Sequence, residues 1–276
     1  MSVSVRIKQK GLFKKKLNIE EIIKITNLSF GVCDENYRLI KNEIANHTLI
    51  YDENKLARGI DISLDDKDII LLLNLPTSSS EIRTFYDVIE KICNELNIKQ
   101  YIREEETVSL NDKEKFIEYD EKGSIAGLES LQKEIEKDNY KSLEIFGIYN
   151  PISIGLNEIK KINNSLDNFE EYLNQIQSLD VYYATPRVYK VDGKLIGIYA
   201  IGANISSVVP IKPYIILNQI RGIEEWYVML KEGKTVKYDD FISNVTQKEY
   251  YDANHLIVTL SENEVDLLLD KYFIKI

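Results

Sequence analysis

Histidine and cysteine occur only twice each, and tryptophan once. The two histidines, His47 and His255, and the two cysteines, Cys33 and Cys93, stand far apart in the chain, so no ligand cluster for a transition-metal centre is present. With no CxxC spacing there is no thioredoxin-type signature, and both thiols are expected to be reduced and buried in a cytoplasmic protein, with a redox pair as the alternative. The longest apolar run, Ile69 to Leu73, is much too short to span a membrane. The start of the chain, MSVSVRIKQKGLFKKK, is not followed by an apolar core, so no signal peptide is expected. The chain contains no GxxxxGK[ST], no GxGxxG after a strand and no GxSxG, which leaves no signature for a phosphate cradle or a nucleophile elbow. No cofactor is expected. Positive charge is also in deficit. The formal net charge of −10 opposes a nucleic-acid binder that works through bulk electrostatics.

What is present is an ordinary globular balance, 44% hydrophobic and 29% charged over 276 residues, with 18 tyrosines. The densest apolar and aromatic stretch is 179–213, which reads as the centre of a sheet. Two runs suited to a pleated surface flank Asp192-Gly193, a dipeptide that tolerates positive φ at both central positions of a hairpin turn. Pro186 has no N–H for a ladder, so the first arm is expected to be an edge strand, a bulge or two pieces.

Elsewhere the periodicities are legible. Val3, Val5 and Ile7 alternate with polar residues as in a half-buried strand, and Asn18 with Glu21 caps a short helix. Arg58–Leu64 and Asp68–Leu75 read as an antiparallel pair. The second arm, DIILLLNL, is apolar on both faces, so it is expected to be a central strand covered on both sides. Ser78 and Glu81 form a capping box for a helix whose stripe runs from Ile82 through Cys93 to Leu96. Further helices are expected at Ser124–Asp138 and from Ser165 to Gln177, with a strand at Leu143–Tyr149. Strands at Tyr214–Ile220, Glu225–Leu230 and Leu256–Leu260 follow, and Ser261 with Glu264 caps a terminal helix. Arg6, Lys8, Lys10, Lys14, Lys15 and Lys16 make the first 17 residues basic, which reads as lysine protection of a strand edge or as a patch for phosphates or acidic partners.

The expected fold class is α+β, with antiparallel or mixed sheets and amphipathic helices packed on one face, in two lobes. The acidic stretch from Arg103 to Lys122 marks the boundary, giving an N-terminal lobe at 1–110 and a C-terminal lobe at 111–276. One continuous domain over 1–276 is the alternative.

Candidate chemistry is sparse. His255 precedes an apolar strand and His47 lies in a polar turn, neither with a nucleophile signature. Asp34/Glu35, Asp65/Asp66 and Glu224/Glu225 are carboxylate pairs with no diagnostic spacing. The remaining constellation is aromatic and basic: Tyr183, Arg187, Tyr189, Lys212 and Trp226, the mixture enriched at binding hot spots.

Read together, LNLPTSSSEIRTFYDVIEKI at 73–92 and LIGIYAIGANISSVVPIKP at 195–213 resemble a family of uncharacterised bacterial proteins of similar length. The resemblance implies a bacterial cytoplasmic protein and carries no catalytic residue with it. The functional expectation is a non-enzymatic cytoplasmic binding protein, its partner another protein rather than a membrane or nucleic acid, contacted through the five residues above. The alternative is a hydrolase-like enzyme whose carboxylates, with His255, meet only in three dimensions.

Overall fold

Alternation in the first strand and a capped amphipathic helix after it set the pattern of the N-terminal half. The computed structural model describes residues 1–9, 16–137 and 141–276. It divides into two compact units, Met1–Ser178 and Leu179–Ile276. Lys10, Gly11, Lys14 and Lys15 of the basic run, and the expected helix end at Asp138, lie outside the described residues.

The first unit opens with β1 (Ser2–Ile7), whose Val3, Val5 and Ile7 are buried, and α1 (Ile19–Thr26), capped reciprocally by Asn18 and Glu21. Next come β2 (Ser29–Cys33), β3 (Leu39–Lys41), β4 (His47–Tyr51), β5 (Ile60–Asp65) and β6 (Asp68–Asn74). After α2 (Ser79–Glu95) follow β7 (Gln100–Arg103), β8 (Glu106–Ser109) and the long α3 (Lys113–Glu136). The eight strands form one antiparallel sheet in the order β3-β2-β4-β5-β6-β1-β7-β8. The core on one face joins Val5, Ile62 and Leu71 of the sheet to Ile22 of α1 and Phe85 and Ile89 of α2. β9 (Ser142–Phe146) and β10 (Pro151–Gly155) make a separate hairpin, and α4 (Leu156–Ile162) and α5 (Leu166–Gln177) complete the unit.

Four expectations change here. β6 is central, but only Ile69, Leu71 and Leu73 are fully buried; Ile70 and Leu72 remain half-buried on the other face. Apolarity on both faces therefore did not translate into cover on both sides. β1 is no edge strand, since it pairs with β6 on one side and β7 on the other. The acidic stretch at 103–122 lies inside the first unit. Glu104 and Glu105 take positive φ (46° and 73°) to turn β7 into β8, and the Glu104 carboxylate accepts the Ser4 N–H at 2.7 Å. Glu106 opens β8, and Glu114, Glu118, Asp120 and Glu121 belong to α3, which begins eleven residues before the expected Ser124 and keeps Glu114 and Glu118 on its solvent side. Of the two thiols only Cys93 is buried, in the α2 stripe, where burial pushes it up to about 12; Cys33 is exposed.

In the second unit, β11 (Tyr182–Tyr183), β12 (Arg187–Val191), β13 (Lys194–Ala200), β14 (Ser207–Pro210), β15 (Ile223–Lys231) and β16 (Lys234–Lys237) precede α6 (Tyr238–Asn244). β17 (Lys248–Asp252), β18 (His255–Val258) and α7 (Glu262–Tyr272) follow. Pro186 splits the first hairpin arm in two, and the pieces join different sheets, β11-β14-β18-β17 and β12-β13-β15-β16. Both sheets are mixed, because β11 runs parallel to β14 and β13 parallel to β15. Asp192 and Gly193 take φ of 48° and 86°, as the β12–β13 turn requires. The core gathers Tyr199, Val209 and Val228 against Phe241 of α6 and Val265 and Leu269 of α7. Residues 214–220, expected as a strand, form no ladder; the Tyr199 hydroxyl satisfies both backbone groups of Tyr214, donating to its carbonyl at 2.8 Å and accepting from its N–H at 3.3 Å.

The Ser261–Glu264 capping box is present. Hydrogen bonds from the Ser261 N–H and hydroxyl, and from Thr246, hold the Glu264 carboxyl below its ordinary value. A depressed carboxylate contributes stability that is complete above its unfolded value, roughly pH 4.3, and is lost as pH falls through the folded one. The melting temperature of Glu264→Gln is accordingly expected to lie below that of the unsubstituted chain at pH 7, with the gap closing in acid. A gap independent of pH would contradict this assignment.

Candidate functional site

Of the five expected contact residues, the hairpin register brings two together. Arg187 and Tyr189 lie two apart on β12, so they share a face, and both are exposed, Tyr189 by 45%. They stand opposite Ile198 and Ile196, which in turn pair with Tyr227 and Glu225 of β15. Glu225 is engaged on that face: it accepts a short hydrogen bond from the Tyr227 hydroxyl and lies 3.5 Å from Lys194 Nζ. The bond from Tyr227 is the main reason its carboxyl sits below the ordinary range. Among the described residues neither Arg187 nor Tyr189 has a polar side-chain partner. Because β12 ends its sheet, one side of its backbone is also unpaired there.

Trp226 lies on the opposite face. It pairs with Gly197, where a Cβ would fall 2.3 Å from the indole ring, and it sits 5.9 Å from the Tyr199 ring. The glycine is there so that the ring can lie flat on the neighbouring strand. Lys212 is exposed in the loop after β14. Tyr183 belongs to the other sheet and is buried, its hydroxyl 3.1 Å from His255 Nε2.

That contact is part of a buried network. Asp252 Oδ1 lies 2.7 Å from His255 Nδ1, and the Tyr214 hydroxyl reaches Nε2 at 3.2 Å. Nδ1 thus faces a carboxylate and Nε2 two phenols, so both ring nitrogens have hydrogen-bonding partners. An acid–imidazole pair of this kind orients a general base in many enzymes. Here Asp252 is 0% and His255 2% exposed, and two phenols cap Nε2, so a substrate must displace a tyrosine to reach it. The Asp-x-x-His spacing across the β17–β18 turn is the signal that reading His255 alone overlooked.

A family model described as Domain of unknown function (DUF4299) matches residues 2–268. The chain belongs to the DUF4299 family. The match takes in the first unit from Ser2 and the second as far as α7, so both sheets of the second unit and the His255 network lie within the DUF4299 domain. No curated protein and no solved structure matches the chain.

Each carboxylate pair of the DUF4299 protein has at least one member in an ion pair. Asp65 binds Arg6, Asp34 binds Arg38, and Glu224 and Glu225 both face Lys194. Two other carboxyls, Glu81 and Asp120, are buried and pushed upward by that burial. Each is enclosed by its own donors. Glu81 accepts from the Arg58 and Gly59 N–H groups and the Thr77 hydroxyl. Asp120 accepts from Arg103 and Tyr86. Burial also lowers Arg58 to about 10, with Glu81 opposing the shift. No group of three or more His, Cys, Asp or Glu fit to hold a metal occurs among the described residues, and no helix among them is long and apolar enough to cross a membrane.

Proposed function

We propose that this DUF4299 protein is a cytoplasmic, non-enzymatic binding protein that takes another protein at β12. The observation that carries the reading is the unpartnered pair Arg187 and Tyr189, side by side on a terminal strand. Arginine and tyrosine offer contact area with a polar handle, and an open strand edge offers main-chain hydrogen bonds to an extended segment. Arg187 favours acidic side chains in that segment. The formal charge of −10 works against nucleic acid as the partner. The cytoplasmic placement is supported by Cys33 and Cys93, both free thiols.

The test is quantitative affinity capture with the full chain and with Arg187→Ala/Tyr189→Ala. The double variant is expected to fold normally and to lose its partner by about tenfold or more, the scale of two hot-spot truncations. Trp226→Ala serves as the contrast, since removing a ring packed on Gly197 and Tyr199 is expected to lower thermal stability. Equal capture by the double variant and the unsubstituted chain would assign Arg187 and Lys190 to guarding the strand edge instead.

A further inference from the structure

The N-terminal basic residues were read first as edge protection, and the strand order removes that role. β1 lies between β6 and β7, so Arg6 and Lys8 have no free edge to guard. They border a concavity of about 750 Å³, a size typical of small-molecule sites. Its floor is the sheet face where Arg6 stands opposite Ile102, Ile102 opposite Thr107, and Gln100 opposite Ser109. The segment leaving α2 supplies a wall through Leu96, Ile98 and Lys99. Gln9 fixes the other side. Its carboxamide donates to the Leu17 and Lys67 carbonyls and accepts the Leu17 N–H, so that wall is held before any ligand arrives.

The charge of this concavity runs against the rest of the chain. Arg6, Lys8 and Lys99 line it and, among the described residues, no carboxylate does, although acids outnumber bases in the sequence by 45 to 35. Arg6 is neutralised by Asp65 at 2.7 Å and Asp68 at 3.3 Å. Lys8 and Lys99 are exposed and have no ion pair among the described residues. Thr107 and Ser109 add hydroxyl donors, and Leu96, Ile98 and Ile102 add apolar surface. Tyr101, between Gln100 and Ile102 in β7, turns its ring to the opposite, core face of the sheet.

We propose that this concavity binds a small organic anion, a phosphate or carboxylate head group on an apolar body. Lys8 and Lys99 meet the charge, the β8 hydroxyls donate to its oxygens, and the apolar wall takes the remainder. The site is separate from β12 and does not depend on the protein-binding reading.

Isothermal titration calorimetry of the full chain at low ionic strength tests it, with 1-naphthyl phosphate, 1-naphthoate and the neutral 1-naphthylmethanol as probes. At least one anion is expected to bind about tenfold or more tighter than the alcohol, and to weaken as salt is added. The preferred anion identifies the head group. Lys8→Glu/Lys99→Glu changes only exposed side chains, so it is expected to keep the melting temperature while losing the anion by about tenfold or more. Equal binding of anion and alcohol, no binding of either anion, or full binding by the folded double variant would each overturn the proposal. Arg187→Ala/Tyr189→Ala is expected to bind the probes normally, which separates failure here from failure at β12.

Discussion

Asp120→Ala is expected to destabilise the chain by about 3–5 kcal/mol, the usual cost of leaving one partner of a buried ion pair behind. Asp120 is 1% exposed on α3 and accepts from Arg103 of β7 and Tyr86 of α2, each at 2.5 Å. Arg103 Nε also donates to the Tyr86 hydroxyl at 3.1 Å, and its guanidinium lies over the Phe116 ring at 4.9 Å. Removing the carboxylate strands a 9%-exposed guanidinium and a phenol among apolar neighbours. Replacing both ions, as Arg103→Met/Asp120→Leu, is expected to recover most of the loss, because the desolvation cost disappears together with the attraction. Urea titration followed by circular dichroism measures both. A loss under about 1 kcal/mol for Asp120→Ala would mean that Arg103 finds water or another acceptor.

Glu81→Ala is expected to cost about 2–4 kcal/mol, the scale of leaving two buried backbone donors unsatisfied. In the sequence Glu81 occupies the N3 position of a capping box, and half of that box exists: the Ser78 hydroxyl accepts the Glu81 N–H at 3.2 Å. The carboxylate itself turns inward to the N–H groups of Arg58 and Gly59 and to the Thr77 hydroxyl. Arg58 is anchored in turn, donating to the carbonyls of Phe146 and Pro76. Loss of Glu81 therefore orphans two backbone donors before β5 and leaves Arg58 without its counter-charge. Were Glu81 only a helix cap, the cost would be about 1 kcal/mol, and the same titration separates the two figures.

Both carboxylates show how reading the chain went astray. Glu81 matched a local motif, and Asp120 sat in an acidic run taken for a connection between lobes. Local rules assume that acids face water. Nothing within a few residues announces that an arginine 17 or 23 positions away will bury them. The five candidate contact residues were dispersed by the same long-range effects. Alternation around Asp192-Gly193 places Arg187 and Tyr189 on one face. Trp226 reaches the opposite face through a parallel pairing of β13 with β15, whose register shifts between Leu195 and Ile196. Tyr183 was drawn into the core by a histidine 72 residues later.

By itself the sequence determined what short-range physics controls: the α+β class, the caps of α1 and α7, the Asp192-Gly193 hairpin, the division of its first arm at Pro186, and the helical stripe that buries Cys93. Periodicity and capping act over one or two turns, and they survive into the fold. Tertiary structure alone decided which strands are neighbours. It placed β1 in the interior of its sheet, which releases Lys8 from edge duty, and Lys8 and Lys99 line one concavity. It sent the two halves of one hairpin arm into different sheets, and it converted acids that look solvated into buried counter-ions. Strand order and burial depend on contacts across tens of residues, where the free energy lies in desolvation and packing.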